Sequence, residues 1–480
     1  MSQKMKPKMT NYRWVICSML FFATTINYLD RQVLSLTWPK FIGPEFGWTN
    51  DDYGNITAWF SILYAVSMLF AGRFVDWLDT KKGFLWAIGI WSFGACIHAF
   101  CGIATAGFLT DTWVFSFEGA RELIKTVSNS GKIVSLSVGL FIFSRAILAL
   151  GEAGNFPAAI KATAEFFPKK DRAFSTSIFN SGATIGAMLA PASILFIAER
   201  WGWESSFIII GILGFVWMGF WIFIYKKPEV HPKINEAELK YIQQDLELGK
   251  KSNITTKPNV KLSFIDCFKF KQTWAFAFGK FMTDGVWWFY LFWMPKYLQT
   301  AFGLEGKAQI PALTVLYTIV MLSIIGGWLP SYFIDNKKMN PYAGRMRSML
   351  IFAFFPLLVL FAQPLGGYTY WLPVIIIGIA AAAHQAWSAN IFTTVSDMFP
   401  KSAIATVTGI GGMAGGVGSF IIQKGAGKLF DFAGNSDMTF LGFNGEPSGY
   451  FIIFIFCALA YLIGWVVMKS LVPRYKPIDT

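Results

Sequence analysis

The feature that most constrains the fold is a series of long apolar stretches that recur along the 480-residue chain. A helix needs about 20 apolar residues to cross a bilayer, and its backbone must close its hydrogen bonds internally. Charged residues make up only 14% of the chain, whereas soluble domains average roughly 25%. We therefore predict an all-α integral membrane protein with twelve transmembrane helices. The predicted segments are 14–37, 54–77, 84–107, 135–158, 173–198, 205–226, 273–300, 309–334, 347–366, 370–396, 403–428 and 449–470.

The net charge of +13 is typical of nucleic-acid-binding proteins, but the distribution of the cationic residues argues against that class. Most Lys and Arg residues fall in the N-terminal tail, with Lys4, Lys6 and Lys8, and in the loops on the same side of the predicted membrane. Such an excess marks the cytoplasmic side. We expect cytoplasmic termini, a lipid bilayer around the chain and no nucleic-acid partner. The five cysteines have no metal-ligand spacing, and no cleaved signal peptide is recognisable.

The chain repeats itself about half its length apart. Glu165–Lys169 reads EFFPK and Asp397–Lys401 reads DMFPK, and a helix rich in small residues follows each copy. Two duplicated six-helix bundles related by pseudo-symmetry, with a polar linker between them, are typical of transporters built from parallel repeats. The predicted division is an N-terminal bundle at 1–226 with an outer insertion at 108–134, a cytoplasmic linker at 227–272 and a C-terminal bundle at 273–480. The insertion reads as a short amphipathic helix without chemistry.

Four charged residues interrupt the apolar segments of the first half. Asp30 and Arg31 lie in the first segment, and Arg145 and Glu152 lie in the fourth. A charge in the middle of a membrane costs about 2.5–3.5 kcal/mol, so such residues are functional candidates. Arg145 and Glu152 are seven residues apart and therefore share one helix face. We predict that these four groups form a site for an organic acid and a driving proton; a structural ion pair is the alternative.

The fifth and seventh segments add polar and aromatic candidates. Asn180 could donate to a ligand, although the small residues around it also suit close helix packing. Lys280 and Asp284 are four residues apart and are expected to neutralise each other on one helix face. Trp288 could pack against a sugar ring or belong to an interfacial aromatic belt, and both interpretations stay open.

The tenth segment carries a cluster of polar and aromatic side chains in an otherwise apolar run. These residues are His384, Gln385, Trp387, Ser388 and Asn390. Their neutral donors and acceptors suit a substrate that is rich in hydroxyl groups, and the repeat places His384 where Glu152 lies in the first half. A structural histidine is the alternative for His384. The glycine-rich eleventh segment has neither a preceding strand nor a P-loop lysine, so a phosphate site is not expected.

The second segment ends in a short turn, Gly72–Gly83, which carries charges of both signs. We predict that it is a gating loop in which Gly72, Asp76 and Lys81 take part, with Asp76 close to the N-terminus of a neighbouring helix. An ordinary solvated loop is the alternative.

These motifs resemble known families. Twelve segments in two halves and the Gly72–Gly83 turn resemble the major facilitator superfamily. Asn27–Arg31, together with Arg145 and Glu152, is similar to its anion:cation symporter family. Three further stretches resemble the branch of bacterial hexuronate transporters: Phe179–Gly182, Asp284–Trp288 and His384–Asn390.

The resemblance implies roles for particular residues. Arg31, Tyr28 and Tyr64 match positions that line the anion site. Asp30 and Glu152 match protonatable carboxylates, and Arg145 matches an arginine that pairs with the coupling acid. The chain lacks the glutamine and the asparagine that aldonate transporters carry at the positions of Ala183 and Met413, which favours a substrate other than a linear aldonate.

The expected function is therefore transport rather than catalysis. The resemblance implies a proton-coupled symporter that imports a hexuronate, glucuronate or galacturonate, across the bacterial inner membrane by alternating access. We expect a monomer without a metal or an organic cofactor. The alternatives are another organic anion (a hexarate, an aldonate or an aromatic acid), coupling to sodium and, more distantly, a transporter-like membrane receptor.

Overall fold

A computed structural model of the chain describes residues 9–244 and 264–478, most of which are helical. The cationic N-terminal tail with Lys4, Lys6 and Lys8 lies outside the described residues, as do residues 245–263 of the predicted linker. We name the two ends of the helical bundle by what they carry. The tail face carries residues 9–12, Asp79 and residues 225–242, and the far face is the opposite end.

Eleven helices of the described chain precede the linker gap or lie within the linker's first part. They are α1 (Arg13–Thr37), α2 (Gly43–Phe46), α3 (Asn50–Leu78), α4 (Thr80–Ala99), α5 (Cys101–Thr110), α6 (Phe117–Thr126), α7 (Ser130–Glu152), α8 (Asn155–Phe166), α9 (Lys169–Trp201), α10 (Trp203–Ile224) and α11 (Glu236–Ile242). A π-helical turn at Trp38–Ile42 connects α1 with α2, and a 3₁₀ turn at Pro228–Val230 precedes α11.

The second half contains the remaining described elements. Its helices are α12 (Phe264–Cys267), α13 (Lys271–Phe302), α14 (Ile310–Val320), α15 (Ile325–Asp335), α16 (Pro341–Phe354), α17 (Ala362–Gly366), α18 (Trp371–Met398), α19 (Lys401–Asn435) and α20 (Glu446–Leu471). Three 3₁₀ turns, at Gly306–Gln309, Met321–Ile324 and Phe355–Phe361, lie between them. Two short antiparallel strands, β1 (Thr439–Phe440) and β2 (Phe443–Asn444), form a hairpin before α20.

Ten of the twelve predicted segments lie within one helix or a run of consecutive helical pieces, and the other two, 205–226 and 370–396, extend past α10 and α18 by two residues and one residue. In the described part of the chain, eight stretches are long and apolar enough to cross a membrane, and α4 with α5 makes a ninth if their 51° bend is counted within one span. The other three segments correspond to α1, α13 and α19. These helices are long enough, but α1 and α13 carry buried charges and α19 is rich in glycine.

The two copies of the repeated motif adopt the same backbone conformation. Pro168 precedes α9 with φ −64° and ψ 155°, and Pro400 precedes α19 with φ −62° and ψ 149°. The carbonyl of each proline accepts the third backbone N–H that follows it, from Asp171 and Ala403, at 2.9 Å. The sequence repeat therefore reflects a repeat in structure.

Two glycines, one in α7 and one just after its end, bring this part of the chain close to α4. A Cβ atom at Gly151 would lie 2.3 Å from the backbone nitrogen of Trp91, and one at Gly154 would lie 2.7 Å from the Cβ of Ala87. In a bilayer, such backbone-close packing supplies the dispersion contacts that hold helices together. It also fixes the depth of Glu152, which adjoins Gly151.

The predicted insertion contains the amphipathic helix α6. Ala120 and Ile124 are its buried residues, while Arg121 donates to Glu45 at 3.1 Å and to Glu204 at 2.6 Å. The insertion is thus tied to α2 and to the start of α10 at the far face.

Candidate functional site

The centre of the candidate site is an ion pair between α1 and α7. The Arg31 guanidinium donates from Nε and Nη2 to Oε2 of Glu152, at 3.0 and 2.6 Å. Both side chains are buried, with exposed fractions of 3% and 0%. Removing one partner of such a pair leaves an uncompensated buried charge, so each group depends on the other or on a substitute of the same charge.

Four aromatic rings surround the Arg31 guanidinium. Its Cζ lies 4.8 Å from the ring centroid of Tyr64, 5.0 Å from that of Tyr28, 5.2 Å from that of Trp288 and 5.9 Å from that of Phe60. A desolvated cation over an aromatic face gains about 2 kcal/mol. Because Trp288 belongs to α13, the guanidinium lies where the two halves of the molecule meet.

Asp30 and Arg145 are buried near this pair and interact electrostatically with it. Among the described residues, the two carboxylate oxygens of Asp30 have no hydrogen-bonding partner, and Nη1 of Arg145 has none either. Their exposed fractions are only 1% and 2%. Buried charged atoms without partners are costly, so this arrangement is typical of a site that binds a proton or a charged ligand.

The structure differs from our expectation in the partner of Glu152. We expected Arg145, which shares a face of α7 with Glu152, but Glu152 bonds Arg31 instead. Seven residues span about 10 Å of helix rise, which separates the Arg145 and Glu152 side chains along their own helix. The acid therefore holds the same arginine that we expect to bind the substrate carboxylate.

In the second half, the side chains of three predicted residues pack against or bond to other residues of the same half. Nδ1 of His384 lies 2.8 Å from the hydroxyl of Tyr461, and the His384 ring stacks on Trp287. Trp387 is fully buried. Asn390 donates to the carbonyls of Gly326 and Ala386 at 2.8 and 2.9 Å, so it connects α18 to α15.

Three other predicted residues are more accessible. Gln385 and Ser388 are half-exposed on α18, and Asn180 is exposed on α9. Within the part of the chain that the structure describes, the Arg31 guanidinium donates to Glu152 and to none of these three side chains. The structure thus brings together Arg31, Glu152, Tyr28, Tyr64 and Trp288, with Asp30 and Arg145 beside them, and leaves the polar residues of α18 outside this group.

Among the described residues, the predicted gating turn pairs with the first half and, through Asp79 and Lys227, with the start of the linker. Asp76 pairs with Lys161 at 2.9 Å, and Lys81 donates to the carbonyl of Ile222 at 2.7 Å. A Cβ atom at Gly72 would meet nothing within 4 Å. In this conformation Asp76 therefore lies on a cation of α8, and not at the helix N-terminus that we expected.

The far face, in contrast, is tied across the two halves. Asp431 of α19 accepts from the backbone nitrogens of Asn50 and Asp51 at 3.0 and 2.7 Å, and from the Asn50 side chain at 2.9 Å. Glu199 of α9 pairs with Lys307 of the second half at 3.2 Å. In the described ranges, the ion pairs of the gating turn join it to no residue of the second half. Among the described residues, the polar contacts of Asp431 and Glu199 therefore join the two halves at the far face.

Phe60 and Asp431 are not among the residues predicted from the sequence. A single Phe in an apolar helix carries no signal, and Asp431 follows the end of its predicted segment by only a few residues. For the described ranges, no group of three or more His, Cys, Asp or Glu side chains is arranged to hold a metal ion.

Comparison with known families and sequences shows that the chain is similar to membrane transporters. The model of the Major Facilitator Superfamily matches residues 20–422. The hexuronate transporter of Escherichia coli (strain K12) is 26% identical over 466 residues, which cover 96% of this chain and 95% of that protein. The galacturonate transporter of Dickeya chrysanthemi is 25% identical over 340 residues, 70% of this chain and 87% of that protein. A probable galactarate/D-glucarate transporter of Escherichia coli (strain K12) is 24% identical, with 91% and 93% covered.

Solved structures share the fold at lower sequence identity. A D-xylose–proton symporter superposes with a TM-score of 0.64 at 15% identity and covers 98% of this chain and 100% of its own. A bacterial homologue of the human lysosomal transporter Spinster, in an inward-facing and unoccupied conformation, gives a TM-score of 0.66 at 17% identity, with 98% and 99% covered.

Proposed function

The chain belongs to the Major Facilitator Superfamily, and from this premise we propose that it is a proton-coupled symporter that imports a hexuronate by alternating access. The family and the fold are those of membrane transporters and not of enzymes. Relatives named for hexuronate and galacturonate support a small sugar-acid anion as the cargo.

The observation that carries the proposal is the bond between Arg31 and Glu152. A guanidinium matches the planar geometry of a carboxylate, so Arg31 is the group that suits the acid of a sugar acid. Glu152 now occupies its Nε and Nη2. The substrate carboxylate and the Glu152 carboxylate therefore compete for the same donors.

Protonation of Glu152 would resolve this competition. A proton neutralises the negative charge of Glu152 that Arg31 had balanced. Arg31 then becomes available to the substrate anion. Binding of the proton and binding of the anion then favour each other, and this coupling is reciprocal. Loss of the proton restores the Arg31–Glu152 pair and expels the anion.

Asp30 and Arg145 complete the coupling machinery in this scheme. Asp30 lies within the same electrostatic environment and would carry a second proton, while Arg145 compensates whichever acid is ionised. Trp288 would pack on the sugar ring. Tyr28 and Tyr64 would contact the substrate beside Arg31, and Asn180, His384, Gln385, Trp387, Ser388 and Asn390 would supply further contacts.

The charge distribution supports the orientation. We infer that the tail face is cytoplasmic, in the inner membrane of a bacterium, because the excess of Lys and Arg lies on that side. Two protons with one monovalent anion would move positive charge inward, which gains about 2.3 kcal/mol per charge per 100 mV.

The proposal is tested by uptake of labelled galacturonate into proteoliposomes, with the pH gradient and the sodium gradient imposed separately. We expect the pH gradient alone to drive accumulation. The Glu152→Gln variant should lose this accumulation and still exchange substrate across the membrane. If Glu152→Gln accumulated substrate as the wild type does, the coupling role of Glu152 would be refuted. Accumulation that required the sodium gradient would show that sodium, and not the proton, is the coupling ion. Galactarate, an aldonate and an aromatic acid in the same assay would identify another anion as the cargo.

A further inference from the structure

A second charged pair faces the space between the two halves, on helix α13. Nζ of Lys280 lies 2.7 Å from Oδ2 of Asp284, one turn away. Most residues of α13 are buried, and the half-exposed ones around this pair are Phe281, Asp284 and Trp288. Their spacing of three and four places them on one face of the helix. Since Trp288 contacts Arg31, this face borders the candidate substrate site.

The carboxylate, and not the ammonium, is the accessible member of the pair. The side chain of Asp284 is 16% exposed, against 6% for Lys280. Nζ of Lys280 also lies over the ring of Phe392, at 4.3 Å from its centroid. Lys280 is therefore held behind Asp284, where it fixes the position of the carboxylate.

Two further contacts define the surroundings of Asp284. A Cβ atom at Gly415 of α19 would lie 2.2 Å from Oδ2 of Asp284, so only glycine leaves room for the carboxylate. Asp284 also interacts electrostatically with Tyr28 of α1, which contacts Arg31. Asp284 is therefore close enough to the first half for its charge to act on Tyr28.

We propose that Asp284, positioned by Lys280, binds hydroxyl groups of a sugar acid whose carboxylate lies on Arg31, and selects acids with a single carboxylate. This inference rests on the proposed function. An ionised carboxylate is purely a hydrogen-bond acceptor, so it binds hydroxyl donors strongly. The same charge repels a second substrate carboxylate. In a site for a dicarboxylate, we would expect Lys280, the cation of this pair, to be the accessible group that contacts the second substrate carboxylate.

The dimensions of the helix agree with this role. Asp284 and Trp288 are one turn apart, about 6 Å along the axis. A single sugar ring laid on Trp288 therefore extends from a carboxylate on Arg31 to hydroxyl groups at Asp284. The first half would hold the charge of the substrate, and the second half would recognise its hydroxyl groups.

The test is a binding titration of the purified full-length protein with three acids: galacturonate, galactarate and cyclohexanecarboxylate, which has a ring and a carboxylate but no hydroxyl groups. We expect the wild type to bind galacturonate more tightly than galactarate. Asp284→Asn should weaken galacturonate binding about tenfold, the effect of losing a hydrogen bond to a charged group. Binding of cyclohexanecarboxylate should not change, and the preference for galacturonate over galactarate should narrow or reverse.

The matched control is Asp397→Asn. Asp397 also belongs to the second half and pairs with Arg345 at 2.5 Å, with a side chain that is 17% exposed. It lies at the tail end of α18, away from Trp288. This variant should bind all three acids as the wild type does.

A purely structural pair is distinguished by the double variant Lys280→Met/Asp284→Leu, which removes both charges and leaves no unpaired one. We expect it to fold, as judged by its melting temperature, and to bind galacturonate as weakly as Asp284→Asn does. Galacturonate affinity equal to that of the wild type in either variant would overturn the inference and leave the proposed function intact. Failure of the wild type to bind any of the three acids would overturn the proposed function, and this inference with it.

Discussion

The two halves of the molecule carry their buried charges in different ways. In the first half, Arg31 on α1 meets Glu152 on α7, and Asp30 and Arg145 have polar atoms without partners among the described residues. In the second half, Lys280 and Asp284 belong to one helix and satisfy each other at 2.7 Å. The first arrangement depends on how helices pack, and the second depends only on spacing along one helix.

This difference teaches which charges can take part in a conformational cycle. A pair within one helix moves as a unit when that helix moves, so its electrostatic energy changes little. A pair between two helices can be broken and formed again as they shift, and its energy is then coupled to the motion. We therefore assign coupling to the first half and recognition of hydroxyl groups to the second.

The largest effect that would test this division is that of Arg31→Gln. Without the guanidinium the substrate carboxylate has no partner, and affinity for both galacturonate and cyclohexanecarboxylate should fall about 100-fold. Lys280→Gln should leave cyclohexanecarboxylate binding unchanged, and Arg121→Gln at the far face controls for the loss of an ion-paired arginine. A larger loss of cyclohexanecarboxylate binding in Lys280→Gln than in Arg31→Gln would show that the second half binds the carboxylate.

A smaller effect is expected from separating the halves at the far face. A Cβ atom at Gly427 of α19 would lie 2.5 Å from the carbonyl of Asn50 on α3, whereas one at Gly425 would meet nothing within 4 Å. Gly427→Val should therefore shift the equilibrium towards separated halves, by about 1.4 kcal/mol or a factor of ten. Gly425→Val should not.

The reporter for this shift is Ser61→Cys in a background without the native cysteines. Ser61 is buried and its hydroxyl lies 3.0 Å from that of Ser419 in the other half. We expect the rate of thiol alkylation at this position to rise in Gly427→Val. Equal rates in the two glycine variants would show that this contact does not hold the halves together.

The smallest effect concerns the linker helix α11, whose Glu238 binds residues at the start of the first half. Burial alone would raise the pKa of Glu238, but hydrogen bonds from Thr10, from the backbone nitrogens of Tyr12 and Arg13 and from the Arg13 guanidinium lower it. Because the folded-state pKa lies below the unfolded value, the stabilisation is complete above the unfolded pKa of about 4.3. It is lost as the pH falls through the lower, folded-state pKa.

We expect Glu238→Gln to lower stability by about 1 kcal/mol at pH 7, seen as a decrease of about 2 °C in melting temperature. The difference from the wild type should shrink as the pH falls below 4.3. Glu229→Gln, at an exposed glutamate of the same segment, is the control. An unchanged melting temperature in Glu238→Gln at pH 7 would argue that the linker does not stabilise the first half.

Much of this architecture could be predicted because it follows from local patterns. The twelve apolar segments, the amphipathic helix α6 and the Lys280–Asp284 pair each depend on residues that are close in sequence. That Glu152 pairs with Arg31 and not with Arg145 could not be predicted in this way. The shared face of α7 does not determine whether a cation on another helix lies nearer to Glu152.

The sequence by itself determined that the chain spans a membrane, that it is internally duplicated and which charged residues are buried in lipid-spanning helices. Only the tertiary structure decided that Glu152 holds Arg31, that Trp288 from the second half covers this arginine, and that the far face is tied across the halves. The physical reason is that hydropathy and helical spacing act along the chain, whereas an ion pair is decided by distances between helices. Those distances depend on the small residues and side-chain volumes at every helix contact taken together.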